Sequence, residues 1–579
     1  MTVIRLGVVA ALMSASGMSL SASGQTPGAP TPQPVQQQPP QPVQQQPQPG
    51  QEPLLPVPQP PGGAATQTAT QTASQNPAVV GGTPLTMEEA VRMALENNLG
   101  IREERLNPEI RNYAVVQASS VYTPALFSQL NRGNSAAPPT DFLSTGGVGV
   151  VTSGSMTTVA GITQQLPFGG SNYQFSFDGS RSTTDAPRTI FSPQLGSHLN
   201  LVYNQPLLRN FRIDQFRQQL YQSKNLQSVA DIQLHQRVIQ TSRNVRAAYY
   251  NLVGAIAGLD VAQQSLDLAR QSLKDNRTRV EVGTMAQIDI VQSEAEVASN
   301  EENVIVAEAA IQSAQDQLRA LIMNPSQPGF WDARFKPADQ PMLAAQAIDL
   351  DGAIRTALAN RTDLQQLKKN IESTDIDRRF NENQRLPQLD LQARYGVTGI
   401  GGTQFSYGAP GPNGELPQVT GTSIRSFGDV LHDVFGNDFR QWSFQLNMSY
   451  PIGTSQAEAA VAQLKLQQQQ QHTTVADLEM QITTQVREAA RNVSTNLKRV
   501  EATRKARELA ERRLEAEEKR FTVGLSQTFE LVQAQRDLAR ARQQELNATI
   551  DYNRSLVDFE TVQNAPLGGG GGVSVSSGR

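Results

Sequence analysis

The 579-residue chain contains no cysteine, which excludes disulfides, thiolate metal sites and a lipid anchor attached through cysteine. Aromatic residues make up only 6% and hydrophobic residues 38%, too little for a thick globular centre. Neither sign of charge dominates: 49 basic and 53 acidic residues leave a net charge of −4, and nothing points to nucleic acid. Beyond the first two dozen residues no apolar run reaches roughly 18 residues, so no transmembrane helix is expected. The four histidines (His198, His235, His432 and His472) are scattered without ligand spacing. There is no P-loop, nucleophile elbow or dinucleotide fingerprint. The chain is therefore not expected to be an enzyme or to need a cofactor or metal. What it has in quantity is Gln, Ala, Ser and Asn, a composition suited to extended, partly wet helical packing.

The N-terminus reads as an export signal over residues 1–24. A basic Arg5 is followed by an apolar stretch from Leu6 to Met13 and then by small residues. Residues 25–82 are dominated by Pro, Gln, Thr and Gly and read as a disordered tether. Residues 566–579, with a run of glycines, read as a disordered tail.

Between these ends the chain repeats itself. Leu85–Ile101 (LTMEEAVRMALENNLGI) recurs as Ile348–Leu364 (IDLDGAIRTALANRTDL), and at the same offset Pro124 falls on Pro387. Arg279–Thr284 (RVEVGT) returns as Arg520–Leu525 (RFTVGL), followed by Ile290-Val291-Gln292 and Leu531-Val532-Gln533. The period is far too long for a solenoid unit. It divides the chain into a first repeat at 83–330, a linker at 331–346 and a second repeat at 347–565, whose halves do equivalent jobs.

Each repeat holds a helix of unusual length. Thr454 to Val523 contains neither Gly nor Pro, and its apolar residues fall at helical spacing. Such a helix measures on the order of 100 Å at about 1.5 Å per residue. Phe211 to Val282 does likewise, interrupted only by Gly254 and Gly258. A shorter helix returns after each Gly turn, at Thr284–Met323 and Ser526–Asn564. Pro206 lies 77 residues before Gly283 and Pro451 lies 73 before Gly524. That difference is close to one helical turn, which would keep the same face in register. Coiled-coil-like packing is expected.

Elsewhere the period changes to two. Ser443–Pro451 sets Phe444, Leu446, Met448 and Tyr450 against Gln445, Asn447 and Ser449. His198–Pro206, Asn172–Asp178, Leu389–Val397 and, more weakly, Thr158–Leu166 alternate in the same way. Their length suits a tilted crossing of a bilayer, apolar to lipid and polar to a lumen. Four or five strands cannot close a barrel, which needs at least about eight. An open edge in lipid leaves backbone groups unpaired at several kcal/mol each. Several chains must therefore pool their strands. Asn131–Gly154, Gly179–Gly196 and Thr398–Asp438 read as polar connections, the last as an exposed loop.

Helix, strands, long helix, Gly turn and short helix, all twice over, resemble the TolC-like outer-membrane efflux protein family. The resemblance runs from about Leu85 to Asn564. It rests on the duplicated starts at Ala90 and Ala353, the strand exits Gln205-Pro206 and Tyr450-Pro451, and the two Val-Gly turns. It implies a mainly α protomer with a membrane β portion, a duplicated helix–strand–strand–helix unit. Three such protomers, a homotrimer, would form an α-barrel tunnel in the periplasm and a shared 12-stranded β-barrel embedded in outer-membrane lipid. The family's role is an exit duct working with a periplasmic adaptor (membrane fusion) protein and an inner-membrane transporter. Its adaptor-docking tip corresponds here to Val282, Gly283, Thr284, Val523, Gly524 and Leu525. Its periplasmic aperture corresponds to Asp289 and Glu530, with Ser526 standing where the family's best-known member has Arg, and Phe521 where it has Tyr.

Local physics agrees with a turn at both glycines. Each can adopt the left-handed conformation that ends a helix, and Thr284 with Gln287 forms a plausible capping box for the next. Two rival readings are a periplasmic adaptor, which would carry one hairpin flanked by small β domains, and a structural surface coiled coil.

Overall fold

A computed structural model of the chain describes residues 82–138, 149–186, 189–341, 347–409, 417–453 and 455–567. The expected signal peptide, nearly all of the tether and most of the Gly-rich tail lie outside the described residues. The first repeat runs β1 (Thr83–Leu85), α1 (Met87–Asn97), α2 (Leu99–Ser119), β2 (Ala125–Ala137), β3 (Val151–Gln165), β4 (Asn172–Thr184), β5 (Phe191–Pro206), α3 (Gln215–Glu281) and α4 (Gln287–Ile322). A short strand β6 (Phe335–Pro337) follows, inside the stretch expected to be linker, and pairs parallel with β1. The second repeat runs α5 (Leu350–Asn360), α6 (Thr362–Gln384), β7 (Gln388–Tyr407), β8 (Val419–Arg425), α7 (Phe427–Gly436), β9 (Arg440–Ser449), α8 (Gln456–Thr522) and α9 (Thr528–Val562).

The two long helices, α3 and α8, are each 67 residues. The four-residue difference between the two Pro-to-Gly spans therefore does not lie in the helices. The extra residues lie instead in the connection from Pro206 to Asp214, ahead of the helix. Gly254 and Gly258 do not interrupt α3. At Gly254 the missing side chain lets α9 approach, since a Cβ there would stand 3.2 Å from Ile550.

Neighbouring helices lie in a simple order. The return helix α4 and the entry helix α2 both flank α3, α9 and α6 flank its other side, and α8 packs on α9 and α6. The ends of α2 and α4 meet where the Asn98 side chain donates to the Leu321 carbonyl at 3.0 Å. The matching position of the second repeat is Arg361, 1% exposed, at the junction of α6 and α9. It pairs with Asp363 (2.6 and 3.0 Å) and donates to Gln485 (2.8 Å) and to the Val562 carbonyl (3.2 Å). The apolar core is correspondingly thin, split into four small clusters along the helices. Arg243–Asp558 and Arg246–Glu560, both at 2.6 Å, tie α3 to α9 across the repeats.

Among the described residues one sheet holds seven strands, not four or five. β2, β3, β4, β5, β7 and β9 lie side by side, each antiparallel to the next, and β8 pairs with the far half of β7. β2 extends into the expected polar connection Asn131–Gly154 as far as Ala137, because its backbone pairs with β3 up to Ala137↔Val151. Hydrogen bonding likewise carries β4 and β5 into Gly179–Gly196. The expected loop Thr398–Asp438 holds the rest of β7, β8 and α7, with part of it outside the described residues. Ser426 and Asp429 form a capping box at the start of α7. The helix lies so close to β7 that a Cβ on Gly399 would stand 2.3 Å from the Val430 carbonyl oxygen.

Candidate functional site

Strand pairing places one residue from each of six strands in a single cross-strand row. Leu126, Ile162, Phe175, Leu201, Tyr395 and Trp442 are successive partners from β2 to β9. All six share a face because registered partners in an antiparallel sheet point the same way. All are large and apolar, yet 38–81% exposed. Phe444, Leu446 and Met448 continue this face down β9 and are likewise exposed. An exposed apolar band of this extent marks a surface built for something other than water.

The opposite face is mostly polar, the exception in the matching row being Phe127 of β2, which lies over Gly161. One residue along, Gly161, Ser176, Asn200, Gly396 and Gln441 stand in register from β3 to β9. Nearer the helices, Gln165, Asn172, Asn204, Gln392 and Gln445 form a belt of amides at one level across five strands. Asn204 donates to Asn172 at 2.9 Å and Gln392 donates to Asn204 at 2.8 Å. Asp178, Asp390 and Arg394 add charge to this side. A sheet apolar on one face and wet on the other is the arrangement of a membrane barrel wall. No described helix is long and apolar enough to cross a membrane.

At the far end of the long helices both Gly turns are built alike. Gly283 has φ +81° and Gly524 φ +77°, the left-handed region that favours glycine. Thr284 N–H donates to the Arg279 carbonyl and Gly283 N–H to Val280; Leu525 donates to Arg520 and Gly524 to Phe521. Each turn is a Schellman motif. Val282, Val523 and Leu525 are exposed beside them. The expected capping box of Thr284 and Gln287 does not form. The Thr284 hydroxyl donates back to the Arg279 carbonyl at 3.0 Å, so it closes α3, and α4 begins at Ala286 without a side-chain cap.

Asp289 lies half-buried in the first turn of α4 and Glu530 is exposed in the first turn of α9. The structure does not bring these two together by any hydrogen bond or ion pair among the described residues. Glu530 instead belongs to a cluster that sequence reading missed. Ser526 Oγ reaches Glu530 Oε2 at 2.9 Å and also makes a short contact to Glu517, which pairs with Arg520 at 3.1 Å. A hydroxyl carries one proton, so Ser526 donates to one carboxylate at a time. Hydrogen bonding from Ser526 does most to hold the Glu517 carboxyl below the usual glutamate range; burial opposes it and Arg520 adds to it. Arg279 stacks over the Phe521 ring at 4.4 Å and donates to its carbonyl, which joins the tips of the two repeats. Glu517 is nine residues before Ser526, so only the hairpin brings them together; no local spacing signals it.

A carboxyl with a lowered folded pKa contributes its stabilisation above the ordinary value of about 4.3 and loses it as pH falls through the folded value. The tip cluster is therefore intact at neutral pH and loosens in acid. Replacing Ser526 by alanine removes the largest lowering influence, so the loosening moves to higher pH. Hydrogen-exchange protection of residues 520–530, corrected for intrinsic rates, measures the shift. Identical pH profiles for S526A and the parent chain would refute it.

Comparison with known proteins agrees with this architecture. A family model described as "Outer membrane efflux protein" matches residues 174–323 and 353–563. Outer membrane protein TolC of Escherichia coli (strain K12) is 23% identical over 317 residues, 53% of this chain and 58% of that protein. The alignment thus spans less than two thirds of that relative. Among solved structures, that of CusC superposes with a TM-score of 0.57 at 13% identity, covering 83% of this chain and 92% of that one. The Campylobacter jejuni CmeC outer membrane channel gives 0.56 at 14% identity, covering 83% and 85%. Identity this low speaks for the fold alone. The family model, however, matches more than half of the residues in both repeats, and the chain belongs to the outer membrane efflux protein family.

Proposed function

We propose that three copies of this chain form a duct through the outer membrane, which passively carries substrates outward from an inner-membrane transporter and a periplasmic adaptor. The observation that carries the reading is the exposed apolar row from Leu126 to Trp442, backed by a polar face one residue away. Lipid covers the first and water the second, and the long helices continue the wet passage across the periplasm.

The outer edges of the protomer also support assembly from several copies. β2 and β9 each have one unpaired side among the described residues. Leu106, Ile110 and Tyr113 on α2, and Leu466 and Met480 on α8, are exposed at helical spacing on the two flanking helices. Three copies is the number implied by the family resemblance. The family's 12-stranded barrel needs four strands per chain, whereas this sheet sets six abreast. A periplasmic adaptor would carry one hairpin, and this chain has two joined to one amphipathic sheet.

Insertion of purified protein into planar bilayers tests the duct. Discrete conductance steps are expected; protein that never conducts, even with Asp289 and Glu530 neutralised, refutes the reading.

The two Schellman turns serve as the adaptor-docking tip in this proposal, since both present exposed Val, Gly and Thr or Leu at the end of the hairpins. No atom lies within 4 Å of a Cβ built on Gly283 or Gly524, but the positive φ strains any larger residue by about 1 kcal/mol or more. Replacing both with valine is expected to reshape the tips and abolish export while the oligomer still assembles. Unimpaired export by that double variant would refute docking at these turns.

A further inference from the structure

We infer that the barrel shared by three copies has eighteen strands, six from each, closed by pairing β9 of one copy with β2 of the next. The inference rests on the duct reading and concerns how its membrane end is built.

The duplication supplies four of the six strands. β2 and β7 follow the aligned residues Pro124 and Pro387, and β5 and β9 lead into the two long helices. The β3–β4 hairpin is an insertion in the first copy only, between β2 and β5. It does not hang off the sheet. β3 pairs with β2 over thirteen residues, and β4 pairs with β5 over eleven. Ile162 and Phe175 hold its places in the apolar row, and Gln165 and Asn172 hold its places in the amide belt. Both faces of the inserted hairpin thus carry the chemistry of the wall. Folding it out of a twelve-stranded barrel would break both sets of backbone bonds in lipid, at several kcal/mol for each unpaired group.

The direction of the strands suits this closure. Six antiparallel strands put β2 and β9 in opposite directions at the two edges, so a neighbouring copy adds on with the alternation unbroken. Leu126 and Trp442 end the apolar row at those edges and bring it up to the joint on both sides. The partner is a second copy of this chain because each edge needs a complementary edge with the same apolar band, and the other end of the same sheet is one.

Width agrees as well. Six strands about 4.8 Å apart and tilted by about 40° span an arc of roughly 38 Å. The helical part of each protomer is four helices wide, α2 with α4, then α3, then α6 with α9, then α8. At about 9 to 10 Å between axes these span nearly the same arc. Four strands would cover only about 25 Å and force the duct to narrow at the membrane. With six, the outer opening is about half again as wide as a twelve-stranded one, because barrel diameter grows roughly in proportion to strand number. Cargo that fits the helical tunnel then meets no narrower wall in the membrane.

Electron cryomicroscopy of the full chain, extracted from outer membranes into lipid nanodiscs, counts the strands directly. Eighteen strands with β9 beside β2 of the next copy is the expected result. A twelve-stranded trimer with β3–β4 outside the wall overturns the inference and leaves the duct reading standing. The absence of any membrane-inserted oligomer overturns both. The cysteine-free sequence allows a second test. Gln129→Cys with Val159→Cys, partners between β2 and β3, should bridge within each chain of the assembled oligomer. Gln441→Cys, Ser443→Cys or Gln445→Cys on β9, combined with Phe127→Cys, Gln129→Cys or Asn131→Cys on β2, should give covalent trimers for at least one pair. Conducting trimers in which the Gln129–Val159 bridge never forms would show that the hairpin has left the wall.

Discussion

Arginine at Leu201 is expected to abolish insertion of the protein into the outer membrane, while arginine at its neighbour Asn200 is expected to leave assembly intact. Leu201 stands in the middle of the apolar row, between Phe175 and Tyr395. A charged side chain at the centre of the lipid face of a barrel costs about 2–4 kcal/mol, and the proposed trimer would incur that cost three times. Asn200 points to the opposite face, where it donates to Asp178 at 3.2 Å. In the proposed duct arginine there would face water, gain a carboxylate neighbour and add positive charge to the lumen, so permeation should shift toward anions. The measurements are the amount of oligomer in purified outer membranes and the reversal potential in bilayers under a salt gradient. Equal assembly of both variants would mean that the sheet does not face lipid on its Leu201 side.

The second large effect is expected at Arg361. Its guanidinium is buried between α6, α8 and α9 and holds Asp363, Gln485 and the Val562 carbonyl at once. Replacement by alanine leaves Asp363 without its charged partner and uncaps the end of α9. Losing one member of a buried pair costs about 3–5 kcal/mol, and with 23% of the Asp363 side chain exposed the cost here is about 3 kcal/mol. Unfolding of the helical part is therefore expected to occur at markedly lower temperature, followed by circular dichroism at 222 nm in detergent. Asn98, at the matching place in the first repeat, makes two neutral hydrogen bonds: it donates to the Leu321 carbonyl and, as the N-cap of α2, accepts from the Ile101 N–H. Its replacement by alanine removes a neutral bond and a helix cap and should cost about 1–2 kcal/mol. A similar loss from both positions would refute the view that Arg361 organises its junction electrostatically.

Much of the architecture was legible in the residues. Freedom from Gly and Pro between Thr454 and Val523, together with apolar residues at helical spacing, marks a long helix, because each residue there bonds to neighbours along the axis. Gly283 and Gly524 end the long helices as expected, since a left-handed residue must be found where the chain reverses. Alternation in Ser443–Pro451 and His198–Pro206 marked β9 and β5 for the same local reason: a period of two reports which faces meet unlike surroundings. Thr284 shows the limit of such reading. Its position suits a cap for the following helix, yet its hydroxyl donates to the Arg279 carbonyl of the preceding one, which also accepts from the Thr284 N–H. As a cap the hydroxyl oxygen would accept from an N–H of the next helix; here the hydroxyl donates backward instead, and only the path of the turn chose between the two roles.

Local pattern determined the order of the elements, the length of the helices, the places where they reverse and the two-faced character of the strongest strands. These follow from interactions between residues close together in the chain. Pairing decided the rest. β2 and β8 alternate weakly and become strands because neighbours offer backbone groups to bond, and α7 settles on β7 where Gly399 leaves room. The row from Leu126 to Trp442 gathers residues more than 300 positions apart, and the Ser526 cluster depends on a hairpin closing. Which edges remain open, and hence how many strands each chain brings to the wall, is a property of the assembled sheet, since a hydrogen bond between strands has no counterpart in the spacing within either one.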